Sequence, residues 1–173
     1  MKFLIIDTSG PDSFVCLWDR KSYTVKLLPP LKQSRTLLPA IRELLKRQTV
    51  DFIAIGTGPG SFTGTRIGVM TAKTLAFTWK LPLVPFCSLK IYTPNQEGPF
   101  ILFSDAKSRG TFALEGVRSS QTASFKKPYI KKGKEPPSEG LNLSFLGGYL
   151  CKKFVAFDDD FSLGVPICYL GNP

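Results

Sequence analysis

The chain has 173 residues, enough for one domain or two small lobes around a buried core. Its 23 basic residues against 13 acidic ones give a net charge of +10, so its surface attracts polyanions such as nucleic acid or an acidic protein. It contains no histidine, which excludes a Ser-His-Asp triad, a Cys-His dyad and a histidine-ligated zinc site and leaves only Ser–Lys or carboxylate chemistry open.

The opening MKFLIID reaches Asp7 after four apolar residues, too few for a signal peptide, and no run approaches membrane-spanning length, so a cytoplasmic protein is expected. Three β-rich runs follow one another at 2–6, 13–19 and 22–28. The turn residues Ser9-Gly10-Pro11-Asp12 and Arg20-Lys21 separate them, which predicts a three-stranded antiparallel meander. In KQSRTLLPAIRELLKRQ, residues Leu37, Leu38, Ile41, Leu44 and Leu45 recur at helical spacing. Pro39 requires this helix to start near Ser34–Thr36, with Ser34 or Thr36 as its cap. DFIAI then predicts a buried strand, residues 62–80 a long helix, and LPLVPF (81–86) another strand. The order β-β-β-α-β-α-β is that of a mixed sheet in a ribonuclease-H-like or actin-like lobe.

PNQEGP (94–99) marks the expected boundary between an N-terminal lobe, 1–96, and a smaller C-terminal lobe, 97–173. PFILFSDAK, GTFALEGV, NLSFLGG and KKFVAF all look like short strands, and only YLCKK hints at helix, so the second lobe is expected to be reduced and β-rich. Cys16, Cys87, Cys151 and Cys168 are scattered without C-x-x-C spacing and fit buried small hydrophobes better than a metal site.

Four features bear on function. GTGPGSFTGTR (56–66) is rich in glycine and hydroxyl residues but lacks the lysine and the register of a phosphate-binding P-loop, and it fails the dinucleotide G-x-G-x-x-G spacing too. By itself it fits a tight turn that joins strand to helix, capped by Thr63 or Ser61, better than an anion site. In the helix that follows, Gly64, Gly68, Ala72 and Ala76 fall every four residues and permit close approach of another helix, while Ile67, Val69, Met70, Leu75, Phe77 and Trp79 make most of the circumference apolar. A subunit interface and a deep core helix both fit. Asp7-Thr8-Ser9 closes the first strand and Asp105 closes another, so an actin-fold ATP-dependent phosphotransferase or ATPase with magnesium on these two acids is one reading. Finally, FKKPYIKKGK (125–134) packs five lysines into ten residues, as a solvated basic turn or an RNA-facing hairpin; the latter would suit a stand-alone RNA-binding module.

IDTS near the start, SRTLLPAIRELL, GTGPGSFTGTRIGVMTAKTLAF, LPLVPFCSL and SDAKSRGTF together resemble the TsaB (YeaZ) family, the dimerisation subunit of the bacterial tRNA threonylcarbamoyladenosine machinery. The likeness is dense over residues 1–90, and Gly58, Pro59, Gly60, Ser61, Phe62, Thr63, Gly64, Arg66, Ile67 and Gly68 match the family motif. The resemblance implies an actin/Hsp70-like fold and a non-catalytic role. Such a chain has no cofactor of its own, and ATP or ADP is associated with the heterodimer junction. The implied partners are a TsaD-like catalytic subunit, a TsaE-like ATPase, tRNA through the complex, and a second copy of the chain when it is alone; no membrane is involved. It also implies that the helix after the glycine loop is the interface, with Phe62, Gly64, Ile67, Gly68, Met70, Thr71, Ala72, Leu75, Ala76 and Trp79 facing the partner. Asp7, Thr8 and Ser9, with Asp105, match a vestigial nucleotide site. The chain departs from the family at Gln33, where a histidine is common, and in DAKSRGTF, where Thr111 and Phe112 replace an acid and a tyrosine. The second half is shorter than usual, with the missing length expected before Gly164.

Overall fold

The computed structural model describes residues 1–155 apart from residues 21 and 31; Gly164, Cys168 and the end of KKFVAF lie outside the described residues. The first sheet contains β1 (Lys2–Asp7), β2 (Phe14–Asp19), β3 (Ser22–Leu27), β4 (Phe52–Gly56) and β5 (Leu83–Phe86), in the order β3-β2-β1-β4-β5. β1, β2 and β3 pair antiparallel as the meander predicted, and β1, β4 and β5 pair parallel. The parallel pairs require crossovers, which α1 (Gln33–Leu45) and α2 (Phe62–Trp79) help to supply. The sheet is therefore mixed, in the strand order of a ribonuclease-H-like lobe.

Both faces of this sheet are covered, and the alternation of side chains along each strand separates two cores. Leu4, Ile6, Val15, Leu17, Ile53 and Ile55 pack under α1 and α2. Phe3, Ile5, Phe14, Cys16, Trp18 and Phe52 point the other way. There they meet Leu102, Phe112 and Leu114 of the second half and Leu143, Leu146 and Leu150 of its helix. The rings of Phe3 and Phe52 stack with centroids 4.3 Å apart, and Phe154 stacks on Phe52 from the other side at the same distance. Cys16 is buried, with its thiol pushed up to about 12 by desolvation, while Cys87 and Cys151 are half-buried; all three are free thiols.

α1 departs from expectation at its start. It begins at Gln33 with Lys32 as cap, and no side chain closes its first turn. Ser34 and Thr36 therefore lie inside the helix, and Thr36 Oγ1 donates back to the Lys32 carbonyl at 3.0 Å. Pro39 is the seventh residue rather than a first-turn one, so one backbone hydrogen bond of the helix is missing. The burial of Leu37, Ala40, Ile41 and Leu45 outweighs that loss.

The second half holds β6 (Gly98–Asp105), β7 (Thr111–Arg118), β8 (Ala123–Phe125), β9 (Tyr129–Lys131) and α3 (Leu143–Val155). β6 pairs with one edge of β7, and β8 and β9 take successive stretches of the other edge. Residues 123–131 thus behave as one edge strand interrupted at Lys126–Pro128, where proline has no amide to donate. NLSFLGG and the start of KKFVAF are not strands but parts of the single helix α3. Asn142 caps it, its Oδ1 accepting from the Phe145 amide at 3.1 Å. The Gly147-Gly148 pair obscured the helical spacing of Leu143, Leu146 and Leu150. Gly147 is needed because a Cβ there would overlap the Trp18 ring. Among the described residues, no helix is long and apolar enough to cross a membrane.

Candidate partner interface

The glycine loop is shaped by contact with the end of β1. Ser61 N–H donates to the Ser9 carbonyl at 2.6 Å, Gly58 N–H to Ser88 Oγ at 3.0 Å, and Thr57 N–H to the Phe86 carbonyl at 2.9 Å. Ser61 caps α2, its Oγ accepting from Gly64 N–H at 3.2 Å, while Thr65 N–H and Oγ1 both donate to the Ser61 carbonyl. These amides, which a phosphate cradle would present, are spent inside the fold. A Cβ at Gly60 would overlap the Ser9 carbonyl, and one at Gly64 the Thr8 carbonyl. Gly58 has φ 88°, a conformation that favours glycine. The loop is a close-packed strand-to-helix junction that delivers α2.

The two sides of α2 differ sharply. Gly64, Gly68, Ala72 and Ala76 are buried together with Thr65 and Val69. They face their own sheet: a Cβ at Gly68 would overlap Thr8 Oγ1, which itself donates to the Gly64 carbonyl at 2.7 Å. The spacing alone fitted a core helix as well as an interface, and it was the family resemblance that implied a partner helix on this small-residue face. The structure assigns it to β1 and β4, because the closest backbone approach is already taken within the chain.

The side turned to solvent carries Phe77, 71% exposed, Met70 at 62% and Phe62 at 56%, with Trp79 exposed at the end of the helix. Arg66 lies over the Phe62 ring, 3.7 Å from its centroid. Thr74 and Thr78 spend their hydroxyls on helix carbonyls, so they add little polarity. Ile67, Thr71 and Leu75 are half-buried at the margins. Beside this stripe a groove of about 640 Å³ runs between α1 and α2, with Leu38, Ile41, Leu45, Leu75, Trp79 and Leu81 in its walls. Leu38 is itself exposed. Of the residues expected at the interface, Phe62, Met70 and Trp79 point outward and Gly64, Gly68, Ala72 and Ala76 do not. Phe77 and Leu38 were missing from that expectation. Phe77 could have been found by looking opposite the small residues on the helical wheel.

Asp7, Thr8 and Ser9 are all buried, Asp7 to 1% exposure. Asp7 Oδ1 accepts from Ser9 N–H at 2.8 Å and Ser9 Oγ at 2.7 Å. Oδ2 has no hydrogen bond of good geometry. It presses on Gly56, with Ser88 Oγ close by. Desolvation raises the Asp7 pKa, against the lowering pull of the Ser88 and Ser9 hydroxyls. Asp105 is exposed at the end of β6, where Lys107 N–H donates to Oδ1 at 2.7 Å and Lys107 Nζ sits 3.2 Å from Oδ2. That amide, ahead of the ammonium, holds its pKa below the ordinary carboxylate value. The two acids have opposite environments, and Asp7 is sealed from any magnesium in solution.

Residues 32–148, more than half of the chain, match the family described as "TsaD: tRNA N6-adenosine threonylcarbamoyltransferase". The Haemophilus influenzae protein "tRNA threonylcarbamoyladenosine biosynthesis protein TsaB" is 37% identical over 72% of this chain and 58% of its own length. Proteins of the same description from Bacillus subtilis and Escherichia coli are each 33% identical, over 55% and 51% of this chain and 44% and 41% of theirs. Two solved structures from Pseudomonas aeruginosa superpose on 76% of the chain. One, an uncharacterized protein with similarity to peptidase YEAZ, has a TM-score of 0.65 at 26% identity and is covered over 66% of its length; the other, YeaZ, has 0.68 at 24% and is covered over 69%. The chain belongs to the TsaB (YeaZ) family. Its fold is accordingly the actin-like one, in the mixed-sheet form described above. The alignments span between about two fifths and three fifths of the curated TsaB relatives.

Proposed function

We propose that the chain works in tRNA threonylcarbamoyladenosine biosynthesis as a non-catalytic scaffold and activating subunit. It would be required for a TsaD-like partner to transfer threonylcarbamoyl to adenosine next to the tRNA anticodon. The observation that carries this reading is the outer stripe of α2, where Phe62, Met70 and Phe77 stand exposed beside the α1–α2 groove. Large apolar side chains grouped around a groove mark a protein contact. The face is continuous with family-motif residues: Ser61 caps the helix that carries it, and Arg66 braces Phe62. The role asks no chemistry of this chain. The complete absence of histidine and the burial of Asp7 both suit a subunit whose contribution is shape.

Light scattering after gel filtration, on the chain alone and mixed with the TsaD-like subunit of the same source, tests this. A one-to-one heterodimer is expected to form at the expense of the free chain, whether that is a monomer or a homodimer built on the same stripe. Failure of two folded subunits to associate, with or without tRNA and the TsaE-like ATPase, overturns it.

A further inference from the structure

The basic segment at 125–134 is divided by the structure into two parts. Lys126 pairs with Glu115 at 2.6 Å and Lys131 pairs with Glu135, and both flank or belong to the interrupted edge strand. Lysines on an exposed edge discourage strand-to-strand aggregation, and that accounts for these two. Lys132 and Lys134 lie beyond the end of β9, and among the described residues their ammonium groups close no ion pair, although Lys134 is near enough to Asp105 to pull its pKa down.

What places them is Thr111, the first residue of β7, buried to 1% exposure. Its Oγ1 donates to the Gly133 carbonyl at 3.0 Å and accepts from Glu135 N–H at 3.0 Å. Gly110, at φ 111°, sits so close to the Lys131 carbonyl that a Cβ would overlap it. The turn between β6 and β7 is thereby clamped against residues 131–135. The clamp leaves a cleft of about 430 Å³ with Lys107, Ser108, Arg109, Lys132 and Lys134 in its walls, together with two glycines. Of the cations in its walls, Lys107 pairs with Asp105, while the neighbouring Glu135 is taken by Lys131.

We propose that this cleft, built by the β6–β7 turn and the segment after β9, holds the phosphate backbone of an RNA strand. No apolar side chain lines it, so it has no anchor for an acidic peptide. Lysine ammonium groups on flexible stems and a serine hydroxyl suit successive phosphates read without regard to base. The choice of RNA over another polyanion rests on the function proposed above; the choice of site does not.

The test is fluorescence anisotropy with the full chain and two labelled probes, an unmodified tRNA transcript and a single-stranded oligouridylate, over a series of salt concentrations. The variant carries K107Q, R109Q, K132Q and K134Q. A control with R20Q, K26Q, K32Q and K46Q removes the same charge elsewhere, and thermal unfolding checks that both are folded. The cleft variant is expected to bind tRNA about tenfold more weakly at roughly 50 mM salt. Its log–log salt slope should fall by about 3, since each phosphate contact contributes roughly 0.7–0.9. The control should lose much less. Should the fourfold variant not fold, K132Q with K134Q is expected to give about half the change in slope. Equal losses in variant and control, an unchanged slope, or polyglutamate displacing RNA at equal charge concentration would overturn the proposal. Loss of binding for both probes in a chain that still fails to pair with a TsaD-like subunit would leave this site standing while sinking the scaffold role.

Discussion

The inner and outer faces of α2 come from the same eighteen residues and do opposite things. The inner face is made of glycine and alanine, and it is buried so closely that the Thr8 carbonyl occupies the space a side chain at Gly64 would need. The outer face is made of phenylalanine and methionine and is left in water. Small residues mark where backbones meet, and here the backbone they meet is the chain's own. Large exposed residues are, on the function proposed above, where a partner arrives. A helix can therefore be apolar nearly all round for two unrelated reasons, and substitutions should separate them.

The largest effect is expected on the inner face. Gly68→Arg drives a long cation into the Thr8 hydroxyl and Ile55, and should cost more than about 3 kcal/mol. At this size that lowers Tm by roughly 6–12 °C, read by circular dichroism on the chain alone. If the isolated variant melts normally and only its complex is lost, the assignment of this face to the core is wrong. On the outer face the order reverses. Phe77→Glu or Met70→Glu should leave Tm within a few degrees of wild type but weaken association with the TsaD-like subunit by at least about 30-fold, the effect of removing one central anchor. Normal association with both variants would move the contact off α2.

The smallest effect concerns the strand end against which the inner face packs. Asp7 has a raised folded-state pKa, so burial disfavours its charged form. Below the ordinary aspartate pKa of 3.8 the group is protonated in both states and costs nothing; as pH rises from there through the folded pKa, the unfolded chain ionises first and stability falls. Asp7→Asn keeps an acceptor for the Ser9 donors and removes the titration. It should raise Tm at neutral pH, with the gain shrinking toward pH 4. Parallel Tm-against-pH curves for the two proteins would show that Asp7 is not a strained acid.

The first sheet was legible because β1, β2 and β4 are short apolar runs bounded by turn residues, and α2 because it is a long run free of proline that follows a glycine-rich loop. α3 was not. Its glycine pair breaks the apparent period, and only the meeting of Gly147 with Trp18, 129 positions earlier, explains why the pair stands there. α1 starts at Gln33, earlier than proline chemistry and capping favour, because core burial overrides them. Of the residues expected to face a partner, Phe62, Met70 and Trp79 are exposed, whereas the four small residues are buried against the chain's own sheet.

Composition alone excluded histidine chemistry, and the register of 56–66 alone excluded a P-loop. The strand and helix order, with its motif, was enough to name the family resemblance. Periodicity gives the angle between two side chains on a helix but not the helix's rotation about its own axis, so which face of α2 meets solvent waited for the sheet it packs on. In the same way Lys107 and Lys134 are 27 residues apart along the chain, and only the pairing of β9 with β7 and the Thr111 clamp bring them to one cleft. Contacts of that range depend on every intervening turn closing correctly, which local residue preferences do not encode.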